Sequence, residues 1–299
     1  MPDGRMIHLV DTTLRDGHQA PGLALSLETR ETVIKALDDL GVARIEAVSI
    51  GMSPVESIAS KRWRGLMKRS KLVAWNRLKL SDVEGSMAIK PDVIHVCFSA
   101  SESHLSKKLN MTFEKAANVL EKCLDLAHLN GFEVSVGLED ASRAGFERLS
   151  KIRSLLRYLK VGHVRLSDTC GVLTPSTTRQ LVEFFATGHF SVEFHAHNDL
   201  GMANVNALIA AQSGADFINT SILGVGERTG NASFSGFLAL AERCRALAVN
   251  VSSAQAMALE RTLREFLSRE GYMASLKSSP GSDVTDWLAH HAGLQRVNR

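Results

Sequence analysis

Two histidines separated by one residue, His195 and His197, form the pair in this chain with the clearest capacity for chemistry. Side chains at positions i and i+2 of a β-strand point to the same face, so both imidazoles would face one centre. A carboxylate far away in the sequence, Asp16, lies in the segment Asp11-Thr-Thr-Leu-Arg-Asp-Gly17, which directly follows an apolar, strand-like run. Two histidines and one carboxylate form a mixed nitrogen and oxygen site for a divalent cation. The sequence therefore predicts a metal site at Asp16, His195 and His197.

Short β-rich runs alternate with amphipathic helical segments, a pattern typical of βα units in a parallel sheet. In the first helix, Ser26 is expected to cap the N-terminus and Gly41 to end the helix. Further helices are expected over residues 113–130 and 176–187. Eight such units predict an α/β fold of the (β/α)8 TIM-barrel type. The predicted strands cover residues 6–10, 43–48, 72–76, 93–98, 133–137, 163–167, 191–195 and 217–222.

Active sites of such barrels form at the carboxyl ends of the strands, and most predicted strands end in polar residues. Residues 1–250 are predicted to form the barrel domain. Residues 251–299 are expected to form a short C-terminal helical appendage, with a helix over 252–270. The polar residues at the strand ends are Arg15, Asp16, Glu46, Arg77, Ser99, Ser101, Glu139, Asp140, Asp168, Thr169, His195, His197 and, just beyond the last strand, Asn231.

The composition excludes several classes of partner. A chain of 299 residues with 44% hydrophobic content can bury a large core. Its net charge of +3, from 35 basic and 32 acidic residues dispersed along the chain, argues against nucleic acid. No stretch approaches the roughly 18 apolar residues of a membrane helix, and the N-terminus lacks a signal peptide's apolar core. The four cysteines have neither paired nor CxxC spacing, which indicates reduced thiols and a cytoplasmic protein.

The segments Asp11-Thr-Thr-Leu-Arg-Asp-Gly17 and His195-Ala-His-Asn-Asp199 resemble those of the DRE-TIM metallolyase superfamily. Members of this superfamily include homocitrate synthase, isopropylmalate synthase, citramalate synthase and hydroxymethylglutaryl-CoA lyase. The resemblance spans residues 7 to about 245. Two further segments, Glu139-Asp-Ala-Ser-Arg143 and Ala74-Trp-Asn-Arg77, most resemble homocitrate synthases of the nitrogen-fixation type.

The resemblance implies roles for individual residues. Asp16, His195 and His197 match the family's metal ligands, and Asn231 matches an asparagine that completes the metal shell in the lyases. Arg15 matches the arginine that polarises the substrate carbonyl.

Further matches concern the proton and the substrate. Glu139 matches an acidic residue assigned to proton handling. Thr169 matches a threonine that holds the carboxylate of a 2-oxo acid, and Arg143 an arginine that pairs with the distal carboxylate of 2-oxoglutarate. The remaining positions that match residues of the substrate site are Gln19, Arg77 and His95.

The implied activity is a metal-dependent Claisen-type condensation of acetyl-CoA with a 2-oxo dicarboxylic acid. The ion would be Mg, Mn, Zn or Co, acetyl-CoA would be the cosubstrate, and a homodimer is expected. The chain departs from the family at His18, where members usually carry Glu or Leu. It also ends at Arg299, whereas the condensing members continue into subdomains that supply a catalytic histidine; His290 or His291 is the substitute on offer.

Two other functions stay open at this stage. One is a metal-dependent C–C lyase or aldolase, and the other is a non-catalytic relative that binds a 2-oxo acid. Two histidines and a carboxylate also suit Fe(II) for oxygen chemistry, although Arg15 beside them suits carbonyl polarisation better. Arg15 also has a structural interpretation, as the salt-bridge partner of Glu46. Cys170 is interpreted as a small turn residue rather than a nucleophile.

Overall fold

The computed structural model describes residues 6–49, 54–244 and 247–269. The strands are β1 Met6–Asp11, β2 Arg44–Ser49, β3 Lys71–Asn76, β4 Val93–Ser99, β5 Glu133–Glu139, β6 His163–Asp168, β7 Ser191–Ala196, β8 Phe217–Thr220 and β9 Ala248–Val249. The helices are α1 Leu27–Leu40, α2 Pro54–Trp63, α3 Leu80–Met87, α4 Phe113–Leu129, α5 Phe146–Tyr158, α6 Pro175–Ala186, α7 Ala203–Gln212, α8 Phe234–Cys244 and α9 Ser253–Arg269.

Strands β1 to β8 close into a parallel barrel. Each strand pairs with the next along the chain, and β1 pairs with both β8 and β2. The predicted (β/α)8 barrel is therefore confirmed. The additional strand β9 pairs parallel with β1, Met6 opposite Ala248. It was not predicted, because a strand of two residues is too short to show a periodicity.

Local sequence signals set the helix boundaries. Ser26 accepts a hydrogen bond from the amide of Thr29 at the start of α1, and Gly41 ends that helix with a φ of 80°, as predicted. Thr174 and Thr177 form a reciprocal capping box at the start of α6.

The predicted eighth strand extends too far. It was expected to reach residue 222, but β8 ends at Thr220 and a 3-10 turn, Ile222–Gly224, follows it. Leu223 adopts a φ of 58° in this turn, and a residue in the left-handed region cannot continue a strand. The turn redirects the chain toward the mouth of the barrel, where Asn231 lies.

The strands separate an apolar outer face from a polar interior. On β6, Val164 and Leu166 belong to the hydrophobic core that packs between sheet and helices. The intervening Arg165 instead forms ion pairs with Glu46 and Glu193 on other strands. The same alternation directs the side chains of Glu193 and His195, two residues apart on β7, into the barrel interior.

Helix α9 packs against α8 beyond the last barrel strand. Its Glu260 accepts hydrogen bonds from the amides of Leu223 and Ser235. The division at residue 250 between barrel and appendage stays a prediction, and the tail histidines His290 and His291 lie outside the described residues. No described helix has the length and apolar character needed to cross a bilayer.

Asp38 fastens α1 to the chain that leads into β3. Its buried carboxylate accepts hydrogen bonds from the amides of Lys68, Arg69 and Ser70, at 2.9, 2.9 and 2.7 Å. Burial raises the pKa of Asp38, but these amide donors stabilise the carboxylate more strongly. The pKa of Asp38 therefore lies below its ordinary value of 3.8.

We predict that Asp38→Asn lowers the free energy of unfolding by about 1–3 kcal/mol at neutral pH, because a carboxamide cannot accept all three bonds. A carboxylate whose pKa is lowered by folding adds stability above its unfolded pKa and loses it as pH falls through the folded pKa. The difference between wild type and variant should therefore shrink below about pH 4. Denaturant titrations across this range check both points. The exposed neighbour Asp39→Asn is the control, and a difference that is constant down to about pH 2 would contradict the account.

Candidate metal centre

Three buried side chains meet at the carboxyl end of the barrel, as predicted. Asp16 follows β1, His195 lies in β7 and His197 directly follows β7. The Nε2 atoms of the two histidines are 3.3 Å apart, and they lie 3.7 and 4.0 Å from Asp16 Oδ2. Among the described residues, this is the one group of three or more His, Cys, Asp and Glu ligand atoms close enough to hold a metal ion.

The charge states of these groups suit a cation. Burial, followed by the neighbouring His197, lowers the pKa of His195 from 6.5 to about 3, so its imidazole is neutral at physiological pH. Burial alone would raise the pKa of Asp16. Arg15 and the two histidines lower it by more than burial raises it, so the net shift keeps the carboxylate ionised. A carboxylate and neutral imidazole nitrogens are ligands for divalent transition metals.

Asn231 supplies a further oxygen beside this group. Its Nδ2 donates to Asp16 Oδ1 at 2.8 Å and to the carbonyl of Val225 at 3.0 Å. Its Oδ1 is buried and has no hydrogen-bond partner within the described part of the chain. An orphaned buried oxygen is costly unless a ligand satisfies it. The residues present therefore fit a divalent cation.

Glycine at position 226 makes room for this arrangement. A Cβ atom there would lie 2.3 Å from Asn231 Nδ2 and 2.9 Å from Asp16 Oδ1. Any side chain at this position would displace two of the groups that face the site.

A hydrogen-bond chain fixes the orientation of His195. Its Nδ1 lies 3.1 Å from Asn219 Oδ1, and the side-chain Nδ2 of Asn219 donates to Glu193 Oε1 at 2.7 Å. The second bond fixes which end of the Asn219 amide faces His195, so Nδ1 carries the proton and Nε2 keeps its lone pair for a metal.

Arg15 lies between the metal site and β2. Its Nη1 donates to Asp16 Oδ2 at 2.8 Å, and its Nε donates to Glu46 Oε1 at 2.6 Å. The guanidinium also lies over the Trp75 ring, 5.4 Å from its centroid. The salt bridge with Glu46 was one of two interpretations of Arg15. The structure contains this salt bridge, and it also places Arg15 beside the candidate metal ligands.

Arg165 of β6 lies inside the barrel and connects Glu46, the partner of Arg15, with Glu193, the partner of Asn219. Its Nη2 pairs with Glu46 Oε2 and its Nε with Glu193 Oε1, both at 2.5 Å. Burial alone would raise the pKa of Glu46. The positive charges of Arg15 and Arg165 lower it by more than burial raises it, so the pKa falls to about 2. The contacts form a closed circuit, which we call the polar ring: Asp16, Arg15, Glu46, Arg165, Glu193, Asn219 and His195.

Residues predicted to handle protons and substrate line the rim. Glu139, the last residue of β5, is partly exposed, and its Oε2 lies 3.8 Å from His104 Nδ1. Thr169 accepts a hydrogen bond from the amide of Asp140 at 2.8 Å. Arg143 donates from Nε and Nη2 to the buried carboxylate of Asp140, both at 2.7 Å, and half of its side chain is exposed.

The other predicted substrate residues lie in three different surroundings. Gln19 is exposed in a short 3-10 turn, Gly17–Gln19. Arg77 donates two hydrogen bonds to Asp82 at the start of α3, which hold its guanidinium beside that helix. His95 is fully buried in the barrel interior and contacts Ser135. Their roles in substrate binding stay predictions.

Sequence reasoning missed several residues of the site. His104 and Glu227 both lie near it, with Glu227 Oε1 3.7 Å from His197 Nε2. Arg165, Glu193 and Asn219 form the lower half of the polar ring. Period-two spacing provides a signal for one of them, because Glu193 lies two residues before His195 and so faces the same interior.

This structure is a closed (β/α)8 barrel in which a carboxylate, two histidines and an arginine are buried together at the carboxyl ends of the strands. That arrangement is typical of metal-dependent barrel enzymes. The chain belongs to the HMGL-like family, whose model matches residues 6–263. The resemblance to the DRE-TIM superfamily is thereby confirmed.

Relatives in this family include named synthases. Homocitrate synthase subunit alpha of Clostridium pasteurianum is 35% identical over 233 residues, 78% of this chain and 87% of that protein. Homocitrate synthase 1 of a Nostoc species is 32% identical over 293 residues, 95% of this chain and 74% of that protein. 2-isopropylmalate synthase 2 of Caldanaerobacter subterraneus is 32% identical over 76% of this chain and 59% of that protein.

Solved structures share the fold at lower identity. Hydroxymethylglutaryl-CoA lyase from Pseudomonas aeruginosa superposes with a TM-score of 0.75 at 17% identity, over 97% of this chain and 99% of that one. The HMG-CoA lyase from Brucella melitensis gives a TM-score of 0.74 at 20% identity, over 88% and 100% of the two chains.

We predict that Gly226→Ala weakens Mn²⁺ binding by about 10- to 100-fold, because its methyl group displaces Asn231 and Asp16. A Mn²⁺ titration monitored by electron paramagnetic resonance measures the dissociation constant directly. Gly162→Ala is the matched control, because a Cβ there has no neighbour within 4 Å in the described structure. Wild-type affinity in Gly226→Ala would refute the assignment of this side of the site.

Proposed function

We propose that this chain condenses acetyl-CoA with a 2-oxo dicarboxylic acid, as a homocitrate-synthase-like acyltransferase. The observation that carries the proposal is the position of Arg15 beside Asp16, His195 and His197, in a chain whose relatives over 78% and 95% of its length are homocitrate synthases.

A divalent cation would be held by Asp16, His195, His197 and Asn231, and when bound it would act as a Lewis acid toward the 2-oxo acid. Arg15 provides the complementary charge. Its guanidinium is fixed by Glu46 and Asp16, so it needs little reorganisation when negative charge develops on the keto oxygen.

Glu139 is the proposed proton acceptor. It is partly exposed at the end of β5, where a substrate can reach it, and the more buried His104 lies 3.8 Å from its Oε2. Its carboxylate takes a methyl proton from acetyl-CoA, and the resulting carbanion forms a C–C bond to the keto carbon while the carbonyl electron pair moves to oxygen. Protonation of that oxygen and attack of water on the thioester then release CoA as a free thiol.

Thr169 and Arg143 are the proposed contacts of the two acceptor carboxylates. Both lie on loops that follow neighbouring strands, β6 and β5, and both contact Asp140. Asp140 already binds two donors of Arg143, which orients the guanidinium, and the exposed half of that side chain faces the solvent through which the acceptor arrives. Arg143 would then bind the second carboxylate of 2-oxoglutarate, which pyruvate lacks.

We further propose that the protein functions in a reducing cytoplasm as a homodimer. Support for the compartment comes from its four cysteines, all of which are free thiols in the structure.

The condensation is tested by incubating purified protein with acetyl-CoA, Mn²⁺ and a panel of 2-oxo acids while following free thiol. We expect thiol release with 2-oxoglutarate. Arg15→Gln should lower kcat at saturating Mn²⁺ by about 100- to 1000-fold, the usual effect of removing an oxyanion donor. Cleavage of a hydroxyacyl-CoA with no thiol release from acetyl-CoA would replace this proposal with a lyase.

Acceptor choice is tested at Arg143. We expect Arg143→Gln to lower kcat/KM for 2-oxoglutarate by about 10- to 100-fold, the equivalent of one charged hydrogen bond, and to change that for pyruvate much less. Lys151→Gln, which removes an exposed cation from α5, is the control. Equal losses for both acceptors would remove Arg143 from carboxylate recognition.

A further inference from the structure

Arg165 occupies a position that the proposed reaction does not explain. It lies on β6 inside the barrel, it is 2% exposed, and its contacts run to Glu46 and Glu193 rather than to a residue at the mouth. Each of these carboxylates has a second partner nearer the metal site.

The first of these connections leads to Asp16. Glu46 uses one carboxylate oxygen for Arg165 and the other for Arg15, whose Nη1 then donates to Asp16. Arg165 therefore positions the Arg15 guanidinium relative to Asp16 by holding the Glu46 carboxylate between the two arginines.

The second connection leads to His195. Glu193 Oε1 receives both Arg165 Nε and Asn219 Nδ2, and Asn219 Oδ1 accepts from His195 Nδ1. The carboxylate thus orients the amide, and the amide orients the imidazole. Because a guanidinium is a planar fork, Arg165 fixes the spacing of the two carboxylates as well as neutralising their charge.

We propose that Arg165 is a positioning residue for the metal centre, which it holds through both halves of the polar ring without touching a ligand. This inference deepens the proposed function and rests on the metal site named there. On this proposal, the affinity for the ion depends on the contacts of Arg165 with Glu46 and Glu193, which lie across the ring from the metal ligands.

Two variants test this. Arg165→Met removes the charge and the fork. Arg165→Lys keeps a positive charge that can bind one carboxylate well but cannot span both in the same geometry. We expect the Mn²⁺ dissociation constant to rise by about 10- to 100-fold in Arg165→Met and by several-fold in Arg165→Lys.

Arg153→Met is the control. Arg153 is a partly buried arginine of α5 that donates from Nη1 to the Phe184 carbonyl at 2.8 Å and lies over the Phe184 ring, 4.0 Å from its centroid, so these contacts lie outside the polar ring. Its loss should lower the melting temperature measured with chelator while leaving the Mn²⁺ dissociation constant within about twofold, since these contacts share no partner with the ring.

The titration uses Mn²⁺ alone, without acetyl-CoA or a 2-oxo acid, so its result does not depend on which reaction the enzyme performs. Wild-type Mn²⁺ affinity in folded Arg165→Met would overturn the proposal. If that variant does not fold, wild-type affinity in Arg165→Lys would overturn it. An equal loss of affinity in Arg153→Met would also overturn it, because the effect would then reflect general stability.

Discussion

Four charged side chains, Arg15, Glu46, Arg165 and Glu193, lie inside the barrel away from water and alternate in sign. Burying an ion costs several kcal/mol, which only a well-placed partner offsets, and removing one member of a buried pair costs about 3–5 kcal/mol. The four residues are therefore interdependent. Branched aliphatic side chains commonly fill a barrel of this class, so the charged interior here is a departure that requires a compensating role.

The balance of charge inside the barrel has consequences at its mouth. Arg15 is held beside the candidate metal ligands because Glu46 and Asp16 bind different nitrogens of its guanidinium. His195 presents its unprotonated Nε2 because Asn219 and Glu193 fix the other ring nitrogen. Arrangement in advance of binding is what allows such groups to act on a transition state without paying for reorganisation. The packing of the interior is in this way linked to the chemistry proposed for the rim.

Much of the fold was predictable from local signals. Alternating strand and helix patterns gave the eight units, and Ser26 and Gly41 marked the ends of α1. The meeting of Asp16, His195 and His197 was predictable from the spacing of the two histidines, together with the rule that active residues collect at strand ends. Contacts across the barrel were not predictable in the same way: Arg165 and Glu46 are 119 residues apart, and no local period encodes which charges meet. The pairing of Arg143 with Asp140 was not predicted. Asp140 has a φ of 58° at the start of the 3-10 turn that carries Arg143, and no strand or helix periodicity signals such a conformation.

The central claim is that Asp16, His195 and His197 bind one divalent cation while Arg15 stays beside it. A crystal soaked in Mn²⁺ and measured at the manganese absorption edge tests this most directly. The account predicts a single strong anomalous peak bonded to Asp16 and to Nε2 of both histidines, with Arg15 still paired with Glu46. A peak elsewhere, or three side chains that remain apart with no ion between them at saturating Mn²⁺, would contradict it.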